Sequence, residues 1–505
     1  MSANFYSALA EKLDADGSRI CLETDDGRTY SRAEVARQAA RYARLLIDAG
    51  AVSGDRIAAQ VDKSPACLFL YLGCLRAGLV YLPLNPAYQR GELGYFLADA
   101  EPSVVVCRPQ SVAMMRELAA RPARIFTLDE TGSGSLADAA ARVAPEFETA
   151  ERAPDDLAVI IYTSGTTGRS KGAMVTHRNL ASNARVLVDY WQFSERDVLL
   201  HALPVFHIHG LFVANHCALL SGARLLWHAK FDAGLVLRDL ARASVLMGVP
   251  TFYTRLLSQP QFDSEACRAM RLFISGSAPL QLETFQEFQA RTGHTILERY
   301  GMSEAGMICS NPLHGQRRGG SVGLALPGVS LRIAGEHDEP LDRGAVGGIQ
   351  IKGDNVFAGY WRMPAKTREE FSADGYFRTG DVGTIDRDGY VYIVGRAKDL
   401  IISGGFNVYP KEIELSLDAL PGVGESAVFG IPHPDFGEAV TAVVVPRQGS
   451  CPAPAELIAE LKKNLANYKV PKQIFIVDDL PRNAMGKIQK ALLREQYGKG
   501  RAAQE

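Results

Sequence analysis

Leu157-Ala-Val-Ile-Ile-Tyr162 is an apolar strand, and it runs directly into Thr163-Ser-Gly-Thr-Thr-Gly-Arg-Ser-Lys171-Gly172. Gly165 and Gly168 let the backbone turn tightly and aim its N–H groups at an anion. Thr163, Ser164, Thr166 and Thr167 add hydroxyl donors, and Lys171 adds a mobile positive charge. Together these groups are chemistry for a polyphosphate. The loop is not a Walker A sequence, because the Gly-Lys-Ser/Thr ending is missing. A run of Gly, Ser and Thr alone reads as a flexible connection. The strand in front of this one and the lysine behind it argue for an anion site.

Outward from the loop, strand and helix alternate through much of the first three-quarters of the chain. Ser31-Arg-Ala-Glu34 is a capping box. It opens an amphipathic helix with Val35, Ala39, Tyr42, Ala43 and Leu46 on one face and Gly50 just past its end. Arg56 to Gln60 reads as a strand, Pro65 to Ala77 as a helix and Leu79 to Leu84 as a strand. Alternation of this kind predicts layered α/β structure with parallel strands. Residues 108–151, rich in Ala, Arg and Ser, read as a variable surface connection. After Gly380 the character changes. Val382 to Val394 alternates like a hairpin around Asp388-Gly389. Glu425 to Ile431 and Ala439 to Val445 read as strands, and Ala453 to Ala466 as a helix. The expected architecture is therefore a large N-terminal domain of layered α/β subdomains, residues 1–397, and a small mobile α+β domain, residues 398–505.

A chain of 505 residues is too long for one hydrophobic core. Its net charge of -2 and the lack of a long basic run exclude a nucleic-acid field. The eight cysteines include no CxxC pair, which suits reduced thiols and a cytoplasmic location. No secretory signal is read at the start, and the apolar stretch from Cys67 to Leu84 is interrupted by Arg76 and Gly78, so no membrane span is expected.

Four downstream motifs identify the loop. Tyr300-Gly-Met-Ser-Glu304, Tyr376-Phe-Arg-Thr-Gly-Asp381, Gly395-Arg-Ala-Lys-Asp399 and Pro481-Arg-Asn-Ala-Met-Gly-Lys487 recur in a fixed order. With Tyr162 to Gly172 they make the chain resemble the adenylate-forming superfamily of acyl-CoA synthetases, luciferases and peptide-synthetase adenylation domains. The resemblance covers nearly the whole chain and implies an acid–thiol ligase that uses ATP, Mg²⁺ and coenzyme A. By it the loop, Thr167 included, holds the β- and γ-phosphates. Tyr300, Gly301 and Met302 lie against adenine, and Ser303 reaches the α-phosphate. Glu304 ligates Mg²⁺, a hard cation that prefers carboxylate oxygen. Asp381 and Arg396 reach the ribose, Lys398 is the hinge of the small domain, and Gly404 and Gly405 border the pantetheine tunnel during thioester formation. Lys487 is the lysine delivered by the small domain. A positioned ammonium stabilises charge that builds as a carboxylate attacks the α-phosphate. The family usually carries Thr near Asn483. Lys487 also resembles the acylation sites of related synthetases, which implies a lysine acyltransferase or deacylase as partner.

The acid is read from three further positions. His201, His207, His209 and His216 cluster after the loop, and with no acidic or Cys ligand nearby they make a weak metal set. By resemblance His207 borders the acyl pocket. Val249-Pro-Thr-Phe-Tyr-Thr-Arg255 and Leu272-Phe-Ile-Ser-Gly-Ser-Ala-Pro-Leu280 look like malonyl-CoA synthetases, whose matching Arg and second Ser hold the distal carboxylate. That carries over onto Arg255 and Ser277. A guanidinium suits such a carboxylate because it grips it in a bidentate fork. The expected substrates are malonate (or methylmalonate), ATP and coenzyme A. Three alternatives stay open: a ligase for an aliphatic or aromatic monocarboxylate, a loader of an acyl carrier protein in trans, and a non-catalytic nucleotide-binding protein.

Overall fold

The alternation of the sequence becomes two largely parallel sheets in a computed structural model, which describes residues 3–119, 123–163, 170–403, 406–433, 436–483 and 486–498. In the six-stranded sheet the spatial order is Arg124–Thr127, Val104–Cys107, Arg56–Gln60, Val80–Pro83, Leu157–Thr163 and Lys171–Thr176. The first five strands are parallel and the last is antiparallel, with Thr163 opposite Lys171. Val80, Leu82, Val105 and Ile160 are buried in the core on this sheet with Leu93, Phe96 and Leu97. Near-continuous apolar runs such as Val104-Val-Val-Cys107 follow from burial on both faces.

The nine-stranded sheet has six parallel strands at its centre: Leu297–Met302, Leu272–Ser275, Val245–Gly248, Val198–His201, Arg224–Trp227 and Ile20–Thr24. The antiparallel strands Gly306–Ser310 and Leu324–Ala325 extend one edge, and Thr29–Ser31 the other. Both capping-box bonds at Ser31 and Glu34 form, at 3.2 and 2.6 Å, and open the helix Arg32–Asp48. All five positions expected on its inner face are buried.

Residues 108–151 depart from the expectation of a surface connection. They contain the helices Val112–Leu118 and Ser135–Ala140 and the edge strand Arg124–Thr127. Four residues of strand are too short for periodicity to reveal; pairing with Val104–Cys107 makes them one.

The C-terminal part is built as its pattern suggests. Phe377–Ile385 and Val391–Arg396 pair antiparallel within a four-stranded sheet, and Gly389 lies in the connecting turn at φ 90°. Val423–His433 and Gly437–Pro446 form the long hairpin of a five-stranded sheet, flanked by Pro410–Asp418 and Pro454–Asn464. By internal contacts the chain divides into one unit of residues 1–330 and 351–377 and a second of residues 331–350 and 378–505. The hairpin 378–397 thus counts with the C-terminal residues. No helix among the described residues is long and apolar enough to cross a membrane.

Candidate active site

In the first unit the strand Leu157–Thr163 delivers Thr163, and its partner strand begins with Lys171. Ser164, Gly165, Thr166, Thr167 and Gly168 lie outside the described residues. The strand Leu297–Met302 turns back through Ser303 and Glu304 into Gly306–Ser310. Gly301 is required at this bend, since a Cβ there would fall 2.3 Å from the Gly306 carbonyl oxygen. Glu304 is only 7 % exposed. Its carboxylate accepts from Tyr360 Oη at 3.2 Å and Thr163 Oγ1 at 3.4 Å. Burial raises its pKa against the lowering effect of those two hydroxyls and Lys171. The Lys171 ammonium stands 4.3 Å from the centroid of the Tyr360 ring and 3.2 Å from Glu370 Oε1. Thr163, Lys171 and Glu304 therefore meet around one ring.

The second unit gathers the other expected residues. Asp381 and Arg396 are opposite one another in the hairpin, and Arg396 Nε lies 3.1 Å from Asp381 Oδ1. Lys398 is in the short turn after it, its pKa lowered by burial and by Arg396. Lys487 is half-buried. Desolvation pulls its pKa down to about 8, with Arg396 and Lys398 lowering it and Asp381 and Asp399 raising it. The departure from the family at Asn483 has a structural role: its Oδ1 accepts from Lys487 N at 3.0 Å, and its N donates to Lys487 O at 2.9 Å. Arg482 donates to Gly486 O at 2.8 Å and steadies the same turn. Gly404 and Gly405 lie outside the described residues, between the strands Ile401–Ser403 and Phe406–Val408.

The acyl wall differs from its expected form. The helix Pro250–Leu257 buries Phe252, Tyr253, Leu256 and Leu257, and that stripe turns Arg255 to the exposed side. No hydrogen bond or ion pair joins Arg255 to Ser277 among the described residues. Arg255 is therefore not a buried grip on a distal carboxylate. Ser277 has φ 71°, a left-handed conformation that a side chain rarely adopts, and its Oγ lies 3.2 Å from His209 Nδ1. His207 is half-buried and accepts from His209 N at 3.3 Å. His201 and His216 are taken by Lys63 and by Tyr71, at 3.1 and 2.8 Å. These are packing roles.

A cation that sequence reading missed sits behind Ser277. Arg299 is 3 % exposed, and its Nε and Nη2 have no hydrogen-bond partner among the described residues. Desolvation pulls it down to about 9. A Cβ on Gly276 would lie 2.4 Å from its Cζ, so the glycine makes room for the guanidinium. Ser275 Oγ and His209 Nε2 are also buried without partners among the described residues. Arg299 acts on His209, whose own pKa burial drives well below its usual value, so that ring is neutral. Glu298, buried beside it in the chain, acts on Arg299 through space, and a buried guanidinium that keeps two unused donors is a site for an anion. The available signal was a charged pair, Glu298-Arg299, in a strand of a largely parallel sheet, where apolar residues are the rule.

The model of the AMP-binding enzyme family matches residues 9–361, and that of the AMP-binding enzyme C-terminal domain matches residues 412–487. A feruloyl-CoA synthase of Amycolatopsis sp. is 38% identical over 477 residues, 94% of this chain and 95% of the relative. A malonate–CoA ligase of Arabidopsis thaliana is 34% identical over 540 residues, 97% and 88% of the two chains. Among solved structures, ATP-bound MatB from Rhodopseudomonas palustris superposes with a TM-score of 0.96 at 54% identity, over 99% of both chains. The family model covers well over half of the chain, and the relatives span almost all of it: the chain belongs to the AMP-binding enzymes.

Proposed function

We propose that this chain is a malonyl-CoA synthetase: it joins malonate, ATP and coenzyme A into malonyl-CoA, AMP and diphosphate through a malonyl-adenylate. The observation that carries the choice of acid is Arg299. Malonate keeps a second carboxylate after the first has reacted, and burying that charge without a partner is prohibitive. A buried, unpaired guanidinium offsets it, as does donation from His209 and Ser275. A ferulate or a short monocarboxylate has no use for such a cation. The likeness to the malonate–CoA ligase and to MatB supports the same choice. Methylmalonate differs by one methyl and is a second substrate of this reading. Ser277 orients His209, and His207 lines the entry. Arg255, exposed, serves as an outer and weaker cation. Loading of a carrier protein in trans has no observation in its favour.

The chemistry proceeds in two steps. A carboxylate oxygen attacks the α-phosphorus of ATP, and the bond to the diphosphate leaving group breaks. Charge builds on the leaving oxygens, and Lys487 stabilises it. Lys171 and the phosphate loop hold the β- and γ-phosphates, Asp381 and Arg396 the ribose. Glu304 beside Thr163 fits a hard divalent cation: a buried carboxylate whose pKa desolvation raises despite Lys171, with a hydroxyl neighbour, offers oxygen donors for it. Mg²⁺, when bound there, neutralises phosphate charge. In the second step the coenzyme A thiol gives its proton to solvent, its sulfur attacks the acyl carbon, and the acyl C–O bond to the phosphate breaks to release AMP. Lys398 is the hinge between the steps in this reading, and Gly404-Gly405 give the thiol arm close approach.

A lysine at about 8 is partly neutral near pH 8, hence nucleophilic, which supports Lys487 as an acylation target for an acyltransferase. Eight free thiols, seven of them buried, suit a reducing cytoplasm. AMP release measured with malonate, methylmalonate, propionate and ferulate tests the assignment. Malonate should lead propionate and ferulate by at least about a hundredfold in kcat/KM, the scale for an unpaired buried charge. Ferulate in first place would overturn it.

A further inference from the structure

The Lys171 ammonium is buried, and a buried cation needs a counter-ion. Among the described residues the carboxylate that pairs with it is Glu370, at 3.2 Å, the residue that caps the helix Pro364–Glu369. Glu304 accepts from Thr163 and from the hydroxyl of the Tyr360 ring over which Lys171 lies, and among the described residues it makes no ion pair with Lys171. The meeting is not an accident of long side chains. Trp361 N donates to Gly172 O at 2.8 Å, Ala358 N to Met174 O at 2.9 Å, and Met174 N to Gly359 O at 2.9 Å. These bonds lock the strand that carries Lys171 to the segment that leads into the Glu370 helix. Lys366, one turn earlier, holds the same Glu370 oxygen at 3.2 Å and keeps the carboxylate facing the lysine.

We propose that Glu370 is a positioning residue for the nucleotide. It orders the Lys171 side chain before ATP arrives, and it then competes with the β- and γ-phosphates for that ammonium. The inference rests on the reading of Lys171 as the phosphate-loop lysine and adds a role for a carboxylate in none of the five motifs. A competing carboxylate weakens the hold on ATP and, by the same amount, eases the departure of diphosphate. AMP carries neither β- nor γ-phosphate and is indifferent to it.

Binding is read by titration calorimetry on the whole protein with Mg-ATP and, separately, with AMP, in the absence of any acid, so that nothing turns over. Glu370→Gln keeps the shape and removes the charge. It should tighten ATP about two- to fivefold, the range for a partly screened ion pair, and leave AMP unchanged. The gain should shrink as salt is raised. Glu370→Asp, which keeps the charge, should bind ATP as the parent does. Lys171→Ala should weaken ATP, and Glu370→Gln should add nothing on that background. Unchanged or weaker ATP binding in Glu370→Gln, with Lys171→Ala still impaired, overturns the role of Glu370 alone. A tightening that persists without Lys171, or extends to AMP, overturns it as well. Lys171→Ala with unaltered ATP affinity overturns the reading of the phosphate loop beneath it.

Discussion

Asp381 and Glu304 are both carboxylates with little exposure, and the two units of the chain treat them in opposite ways. Asp381 is ion-paired with Arg396 across a hairpin. Glu304 has hydroxyl neighbours, and burial pushes its pKa up. The same contrast separates the arginines: Arg396 is paired, whereas Arg299 is buried with two donors unused. A paired charge is settled in the free protein. An unpaired buried one is a strain that a ligand of opposite sign relieves, which is why such groups mark functional sites. Lys487 belongs with the second kind, being drawn down to about 8 by burial with no ion-paired carboxylate among the described residues.

The largest effect expected from that contrast is at Lys487. Lys487→Ala should slow adenylate formation by at least about a hundredfold, the scale for one preorganised charge donor, and leave thioester formation from pre-made malonyl-AMP within a few-fold. Single-turnover assays of each half separate the two, and equal losses would move Lys487 to the settled kind. The pH profile sharpens this. In the proposed adenylation step the ammonium is the active form, and the free protein loses it as pH rises through about 8. Single-turnover kcat/KM for ATP should then fall about tenfold per pH unit above that value. Lys487→Arg, which stays charged, should flatten the fall whatever its absolute rate.

Stability should show the smaller effects. Glu304 has a folded pKa above its unfolded value, so its ionisation opposes folding once pH has risen through both. At pH 7.5 and without nucleotide, Glu304→Gln should melt at or slightly above the parent, by about 1–2 °C. It should also lose most of the stabilisation that Mg-ATP gives the parent. Asp381→Asn should melt lower than the parent, because it leaves Arg396 without its partner. Reversal of the two melting shifts would mean that Glu304 is the structural carboxylate.

Much of the molecule is legible in the sequence where local rules act alone. The Ser31–Glu34 capping box, the apolar strand before the phosphate loop and the hairpin at Asp388-Gly389 need only short-range chemistry. Glu304, Asp381 and Lys487 come from motif order. The rest depends on tertiary neighbours. Arg124–Thr127 becomes a strand only because Val104–Cys107 offers it an edge. Arg255 reads as the grip on the acid because its motif resembles one, but packing decides which way a helix faces. Phe252, Tyr253, Leu256 and Leu257 form the buried stripe, and Arg255 lies off it. Arg299 stands one residue before the Tyr300–Glu304 motif, which draws the eye past it, and its two donors without a hydrogen-bond partner among the described residues show only in three dimensions.

In the function proposed above, Arg299 receives the second carboxylate of the acid. The direct measurement is the ratio of kcat/KM for malonate to that for propionate in the parent, in Arg299→Leu and in Arg255→Leu. Loss of one partner of a buried charge pair costs roughly 3–5 kcal/mol. Arg299→Leu should therefore collapse the ratio by at least about a hundredfold through malonate alone, with propionate held or improved. Arg255, exposed, should change it by less than about tenfold, as surface charges do. A uniform loss on both acids in Arg299→Leu would make Arg299 structural, and a collapse confined to Arg255→Leu would return the grip on malonate to the outer arginine; either contradicts this role of Arg299.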